Sequence, residues 1–170
     1  KKAGGVSLAG IASAAGLSAH NAAQRYGFSY ATSDEQEILA DEKINLIAVL
    51  TRHNQHARQI VLGLQHGEAI FCEKPLALTR NELEEVQQAA TVENAPLLMV
   101  GYNRRFAPFS QKIAAFFANR SEPMVLHYRV NAGFLPDTHW LHNPTIGGGR
   151  ILGEGCHFID YLISLVGSVP

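Results

Sequence analysis

Ala69-Ile70-Phe71-Cys72-Glu73-Lys74-Pro75 sets the reading of the whole chain. Four apolar residues run into two charges and a ring, and a helix-like segment follows from about Thr79. That order is expected of a buried parallel strand that stops abruptly. Pro75 has no N–H for a ladder and marks the strand's end. In open α/β sheets, ligands bind beyond the carboxyl ends of the strands. A lysine there faces a cleft, where it binds a substrate oxygen or passes a proton. On its own the tripeptide reads better as a surface lysine at an ordinary strand-to-loop junction, and the rest of the chain reverses that.

Strand and helix signals alternate on both sides of this stretch. Val6 to Ala12 predicts a strand, and Leu17 to Tyr26 predicts a helix closed by Gly27. Asp34 to Glu37 opens a short helix, with its acids against the N-terminal dipole. Leu46 to Leu50 is continuously apolar, as a strand covered on both faces would be. Asn54 to Gln65 predicts a helix stopped by Gly67, and Asn81 to Ala90 predicts another. Leu97 to Val100 predicts a further buried strand. This rhythm indicates a doubly wound parallel sheet with right-handed crossovers and helices on both faces. After Gly101 the pattern changes. Phe106 to Ala118 predicts a helix, Val125 to Val130 alternates like a strand with one wet face, and Ile151 to Val166 predicts a helix.

Composition narrows the function classes. Of 170 residues, 46% are hydrophobic and 17% charged, which suits a globular protein with a substantial core. A net charge of −1 gives no electrostatic case for nucleic acid or an anionic membrane. No apolar stretch is long enough to cross a bilayer, and no signal-peptide pattern opens the chain. Cys72 and Cys156 read as reduced, buried thiols, which points to the cytoplasm. His53, His56, His139, His142 and His157 invite a metal reading. The pairs His53/His56 and His139/His142 lack the further Cys or acid that a zinc site needs, so no metal is expected.

Four segments in register carry a family resemblance. Phe71-Cys72-Glu73-Lys74-Pro75-Leu76-Ala77 resembles the signature of the glucose-fructose oxidoreductase, inositol dehydrogenase and MocA (Gfo/Idh/MocA) family. Thr51-Arg52-His53-Asn54-Gln55-His56 is similar to its T-P-N-x-x-H turn, with Arg52 in place of Pro. Val100 to Pro108 is similar to V-G-x-x-R-R-F-x-P. Trp140, Gly147-Gly148-Gly149 and Gly155-Cys156-His157-Phe158-Ile159-Asp160 resemble the W-R…G-G-G…D-x-G-x-H-x-x-D stretch. The likeness covers nearly the whole chain.

That resemblance implies an α/β protein. Residues 1–104 would be a partial Rossmann domain whose first strand and Gly-rich loop are missing. Residues 105–170 would begin a second domain with a mostly antiparallel sheet. It implies NAD or NADP, and a sugar, polyol or nucleotide-sugar hydroxyl or carbonyl as substrate. It also leads us to expect a fragment of a longer polypeptide. A homo-oligomer would form through the missing sheet, and the parent is a candidate for fusion to a zinc-type alcohol dehydrogenase module.

Carried over residue by residue, the resemblance makes Lys74 and His157 the catalytic pair. His157 would take the hydroxyl proton as general base, and Lys74 would hold the oxygen. Where the family often has an assisting Asp, this chain has Gly153. Glu154 stands beside it, either a replacement partner or a solvated side chain. Ser13, Thr51, Arg52, His56, Glu73, Lys74, Asn103, Arg105 and Trp140 match cofactor-side positions. Ser13 stands where an acid commonly binds the ribose of NAD. His56 equally fits a helix cap, and Asn103 and Arg105 equally fit interdomain hydrogen bonds. Leu141 replaces the Arg that usually follows the Trp. The other reading is a cofactor-bound scaffold or sensor of the same fold without catalysis.

Overall fold

The computed structural model describes residues 4–167, and within them five short parallel strands alternate with helices. β1 (Gly10–Ala12) pairs with β2 (Tyr30–Thr32). β3 (Leu46–Val49), β4 (Ala69–Cys72) and β5 (Leu98–Val100) form a second sheet in that order. Val49, Cys72 and Val100 lie level across its three strands. The residues that follow each strand therefore emerge along one edge.

The helices start and stop where local chemistry directs. α1 (Gly16–Tyr26) ends on Gly27, whose φ of 81° is left-handed and open to glycine at no steric cost. α2 (Glu35–Leu39) is capped by the Asp34 carboxylate, which accepts from the Gln36 N–H at 2.9 Å. α3 (His53–Gln65) follows β3 directly. α4 (Arg80–Ala90) opens with a full capping box: Thr79 accepts from the Glu82 N–H, and Glu82 reaches back to the Thr79 N–H. A 3-10 turn (Asn103–Phe106) leads into α5 (Pro108–Phe116), and α6 (Cys156–Val166) closes the described chain.

The core lies where α3 and α4 cover one face of the three-stranded sheet. Val49, Ile70 and Cys72 from the strands meet Ala57, Ile60 and Leu64 from α3 and Val86 from α4. Ile60 and Ile70 are fully enclosed; each such side chain contributes about 1.5–3 kcal/mol relative to exposure.

Several sequence expectations need correction. The first strand is three residues long: Val6 and Leu8 are exposed, and the Leu8 carbonyl, which accepts from the Ser29 N–H at 3.1 Å, lies before the paired register begins. Leu46 and Met99 are also exposed, so the second sheet is covered on one face among the described residues, not on both. Residues 125–130 keep their alternation but form no strand. No described strand lies alongside them, and Val125 is 96% exposed. The expected antiparallel sheet therefore has no member within the described residues. Ile151 to Val166 is not one α-helix: Ile151–Gly155 is a π-helical turn that then tightens into α6. Such wide turns often sit at functional sites.

Candidate functional site

The level ends of β3, β4 and β5 place three loops side by side. β3 delivers Thr51, Arg52 and the start of α3. β4 delivers Glu73 and Lys74, and β5 delivers Gly101 and Tyr102. The Glu73 N–H donates to Val49 O at 3.0 Å and the Gly101 N–H to Cys72 O at 2.7 Å, which extends the ladder into these loops. The π-turn and the start of α6 close over them from the other half of the chain.

Lys74 reaches across this junction. Its ammonium donates to the Gly153 carbonyl in the π-turn at 2.6 Å, 79 residues away in sequence. An ammonium has three donors, and this bond uses one. Four residues beyond Gly153 stands His157. Its imidazole is pushed below its ordinary value, first by burial and then by the positive charges of Lys74 and Arg104, with Glu73 and Asp160 opposing. Lys74 thus reaches the turn that immediately precedes His157. The buried Nδ1 of His157 has no hydrogen-bond partner among the described residues. A buried polar atom left so calls for a ligand or water.

Two further residues belong here: Tyr102, to which sequence reasoning gave no role, and Cys156, which it read as a buried thiol and which is half-buried. Tyr102 stands edge-on to His157, with ring centroids 6.1 Å apart. Its hydroxyl lies against the Cys156 thiol, and burial first, then Cys156 and Asp160, push it up to about 12. The Cys156 thiol is raised by burial, against the pull of the Lys74 charge. Both residues directly adjoin matched positions, so adjacency was the available signal.

The loop around Trp140 docks onto the start of α3. The Arg52 guanidinium lies over the Trp140 ring, 5.3 Å from its centroid, and His53 meets that ring edge-on at 4.8 Å. His53 Nδ1 donates to Gly147 O at 2.8 Å, and the Asn54 N–H donates to Ile146 O at 3.2 Å. His53 is held below its ordinary value, first by burial, with His56 and Lys74 adding to it and the Gly147 bond opposing. His56 is fully buried, with Nδ1 at 2.7 Å from Pro75 O and Nε2 at 3.0 Å from Thr51 O. It spans the β3 and β4 loops and faces no open surface.

Other matched residues are engaged locally. The Thr51 hydroxyl donates to Gln59 Oε1 at 2.6 Å. Ser13, directly after β1, shares a hydroxyl–hydroxyl bond of 2.7 Å with Ser18 in α1. Arg105 grips both oxygens of Asp160, with Nε to Oδ2 at 3.0 Å. Glu154 pairs with Arg150 at 2.8 Å, so this carboxylate serves the guanidinium one turn back. Asn103 lies in the 3-10 turn beside Arg104, which stacks over Phe158 at 4.7 Å. The shallow hollow lined by Arg120, Met124 and Val166 lies at the far end of α6 and contains none of these groups.

A parallel sheet with a lysine just past one strand's carboxyl end is the arrangement of a doubly wound α/β domain, whose ligands bind at that edge. Residues 1–102 match the family model described as an oxidoreductase family with an NAD-binding Rossmann fold. The chain belongs to this Gfo/Idh/MocA family. It is 30% identical over 158 residues to levoglucosan dehydrogenase of Pseudarthrobacter phenanthrenivorans, covering 88% of this chain and 40% of that protein. It is 34% identical over 148 residues to the uncharacterized oxidoreductase YrbE of Bacillus subtilis, covering 86% of this chain and 42% of that one. A solved structure of levoglucosan dehydrogenase with NADH and levoglucosan superposes with a TM-score of 0.84 at 28% identity, covering 95% of this chain and 45% of the other. The chain thus spans less than half the length of these relatives.

The residues present fit the nicotinamide end of such a cofactor. An unpartnered buried imidazole nitrogen, a lysine with donors to spare and a cation-capped indole face lie together at the strand ends. No glycine-rich strand-turn-helix precedes β1 among the described residues, so these supply no cradle for the pyrophosphate.

Proposed function

We propose that this chain carries the lysine–histidine half of an NAD(P)-dependent dehydrogenase acting on a sugar- or polyol-like hydroxyl. The observation that carries the reading is the Lys74 ammonium at the end of β4 bonded to the Gly153 carbonyl, four residues before His157, whose Nδ1 is buried and unpartnered among the described residues. A bound nicotinamide would supply the hydride acceptor for the substrate carbon. Lys74 donates to the substrate oxygen and stabilises the negative charge that grows there as the C–H bond breaks. His157, kept neutral by burial and by Lys74, takes the hydroxyl proton, so the C–OH becomes C=O. Thr51, Arg52, Glu73 and Trp140 would flank the cofactor's reactive end, and Ser13 would lie on its adenosine-ribose side. Residues 1–104 serve as the cofactor-binding part, and residues 105–170 open the substrate part.

The test is turnover of the full-length protein with NAD and with NADP over a panel of sugars and polyols. Lys74→Ala is expected to lower kcat by about 100-fold or more, the size of effect seen when one oxyanion donor is removed. Undiminished turnover would exclude Lys74 from the chemistry. The pairing of Glu154 with Arg150 leaves His157 without a carboxylate partner from the π-turn, which favours a non-catalytic cofactor-bound sensor as the second reading. Tight nucleotide binding without redox change across the panel would select that reading.

A further inference from the structure

Leu141 is buried between two glycines that have no room for a side chain. A Cβ built on Gly153 would stand 2.5 Å from Leu141 Cδ1 and 3.0 Å from His53 Cε1. A Cβ on Gly147 would stand 2.4 Å from Leu141 Cα and 2.5 Å from its carbonyl oxygen. The first clash is with the tip of a side chain, the second with backbone. Gly153 is also the residue whose carbonyl accepts from Lys74 Nζ at 2.6 Å. Leu141 therefore presses on the very peptide that holds the ammonium.

We propose that Leu141 is a positioning residue for Lys74. Its isobutyl group occupies the volume a side chain at position 153 would need, and so seats the Gly153 carbonyl on the ammonium. Leu141 and Gly153 form a reciprocal pair: the large residue at one position requires the absent side chain at the other. The two departures from the family's motif are then one adaptation. Lys74 is held by a neutral backbone oxygen, a bond that uses one of its three donors. The functional meaning rests on the reading of Lys74 given above; the packing does not.

The experiment is a variant set in the full-length protein: Leu141→Ala, Gly153→Ala, Gly147→Ala, and each glycine variant combined with Leu141→Ala. The first readout is acylation of Lys74 by acetic anhydride, followed by mass spectrometry and normalised to the other lysines. It needs no catalysis. Leu141→Ala and Gly153→Ala are each expected to raise Lys74 labelling about threefold or more. Combining them is expected to return it toward the parent, because the clashing methyl is gone. Gly147→Ala is expected to stay impaired in the Leu141→Ala background, since trimming a side chain cannot relieve a backbone clash. The second readout is kcat against KM. The singles are expected to lower kcat with KM little changed, and the Leu141/Gly153 double to recover part of it.

Unchanged Lys74 labelling in both single variants, or equal rescue of Gly147→Ala and Gly153→Ala, would overturn the proposal. A Lys74→Ala variant that turns over normally would instead overturn the catalytic reading and leave the labelling result to decide the packing. If Gly153→Ala fails to fold, Leu141→Val, which trims the contact without adding bulk, supplies the labelling test.

Discussion

Replacing His56 by leucine should loosen the whole carboxyl edge of the sheet. The imidazole is fully enclosed, and its two nitrogens face Pro75 O and Thr51 O at 2.7 and 3.0 Å. Leucine fills similar space but donates nothing, so two backbone carbonyls lose their facing ring nitrogen. A buried acceptor left unpaired costs about 1–3 kcal/mol. Each ring nitrogen that carries a proton donates to the carbonyl it faces. The net loss should be about 2–4 kcal/mol, or about 30- to 1,000-fold in the folding equilibrium. Urea unfolding of His56→Leu beside the parent measures it, with exposed His127→Leu as control, expected within about 0.5 kcal/mol. His56→Gln keeps a side-chain donor and should recover part of the loss. A His56→Leu protein as stable as the control would refute the idea that this imidazole ties Thr51 to Pro75. Amide exchange adds a local reading: Glu73, whose N–H donates to Val49 O at 3.0 Å, should open faster in the leucine variant.

Other outcomes follow from the same geometry. His53 and His157 are both held below the ordinary value of 6.5. The unfolded chain then binds more protons than the folded one once pH drops toward and below that value. Stability should be greatest above it and fall as pH is lowered through it, and urea midpoints between pH 7.5 and 5 would show this. If His157 is the base, the acid limb of kcat/KM should also lie below 6.5. Asp160→Asn should disturb the docking of α6, but Arg105 is 39% exposed, so the coupling in a double-mutant cycle with Arg105→Ala should be only about 0.5–1 kcal/mol. Thr79→Ala removes the N-terminal cap of α4 and should lower stability by about 1 kcal/mol; an unfolding curve identical to the parent's would show that the capping box is not holding that helix.

What the sequence disclosed, and what it hid, divide along a physical line. Helix ends were legible because capping is local: Gly27, Asp34 and Gly67 act on neighbours within a few residues. The strands before Lys74 and Tyr102 were legible because apolar runs bounded by charge or glycine have few other readings. The failures all involve partners distant in sequence. Residues 125–130 have the alternation of a strand, yet a strand exists only with a neighbour to pair, and periodicity carries no information about that neighbour. The exposed outer face of β3 is the same failure in another form, since Leu46 cannot announce whether anything will cover it.

The π-turn is the case in which local reasoning misleads most. On an ideal α-helix, Gly153 would lie one turn below His157, and a missing acid there reads as lost catalytic support. The structure puts a wider turn between them and spends the vacancy differently. Leu141, twelve residues earlier, enters the space, while the Gly153 carbonyl takes the lysine. Taken one at a time, glycine for aspartate and leucine for arginine both look like decay of a site. Taken as a pair they fit each other, with Leu141 filling the space that a Cβ on Gly153 would enter, and such complementarity between residues in contact is what keeps a packed region uniquely ordered. Decay by independent losses would leave cavities, with each restored side chain tolerated alone. An interlock requires the opposite: a side chain returned at 153 is rejected until 141 gives way.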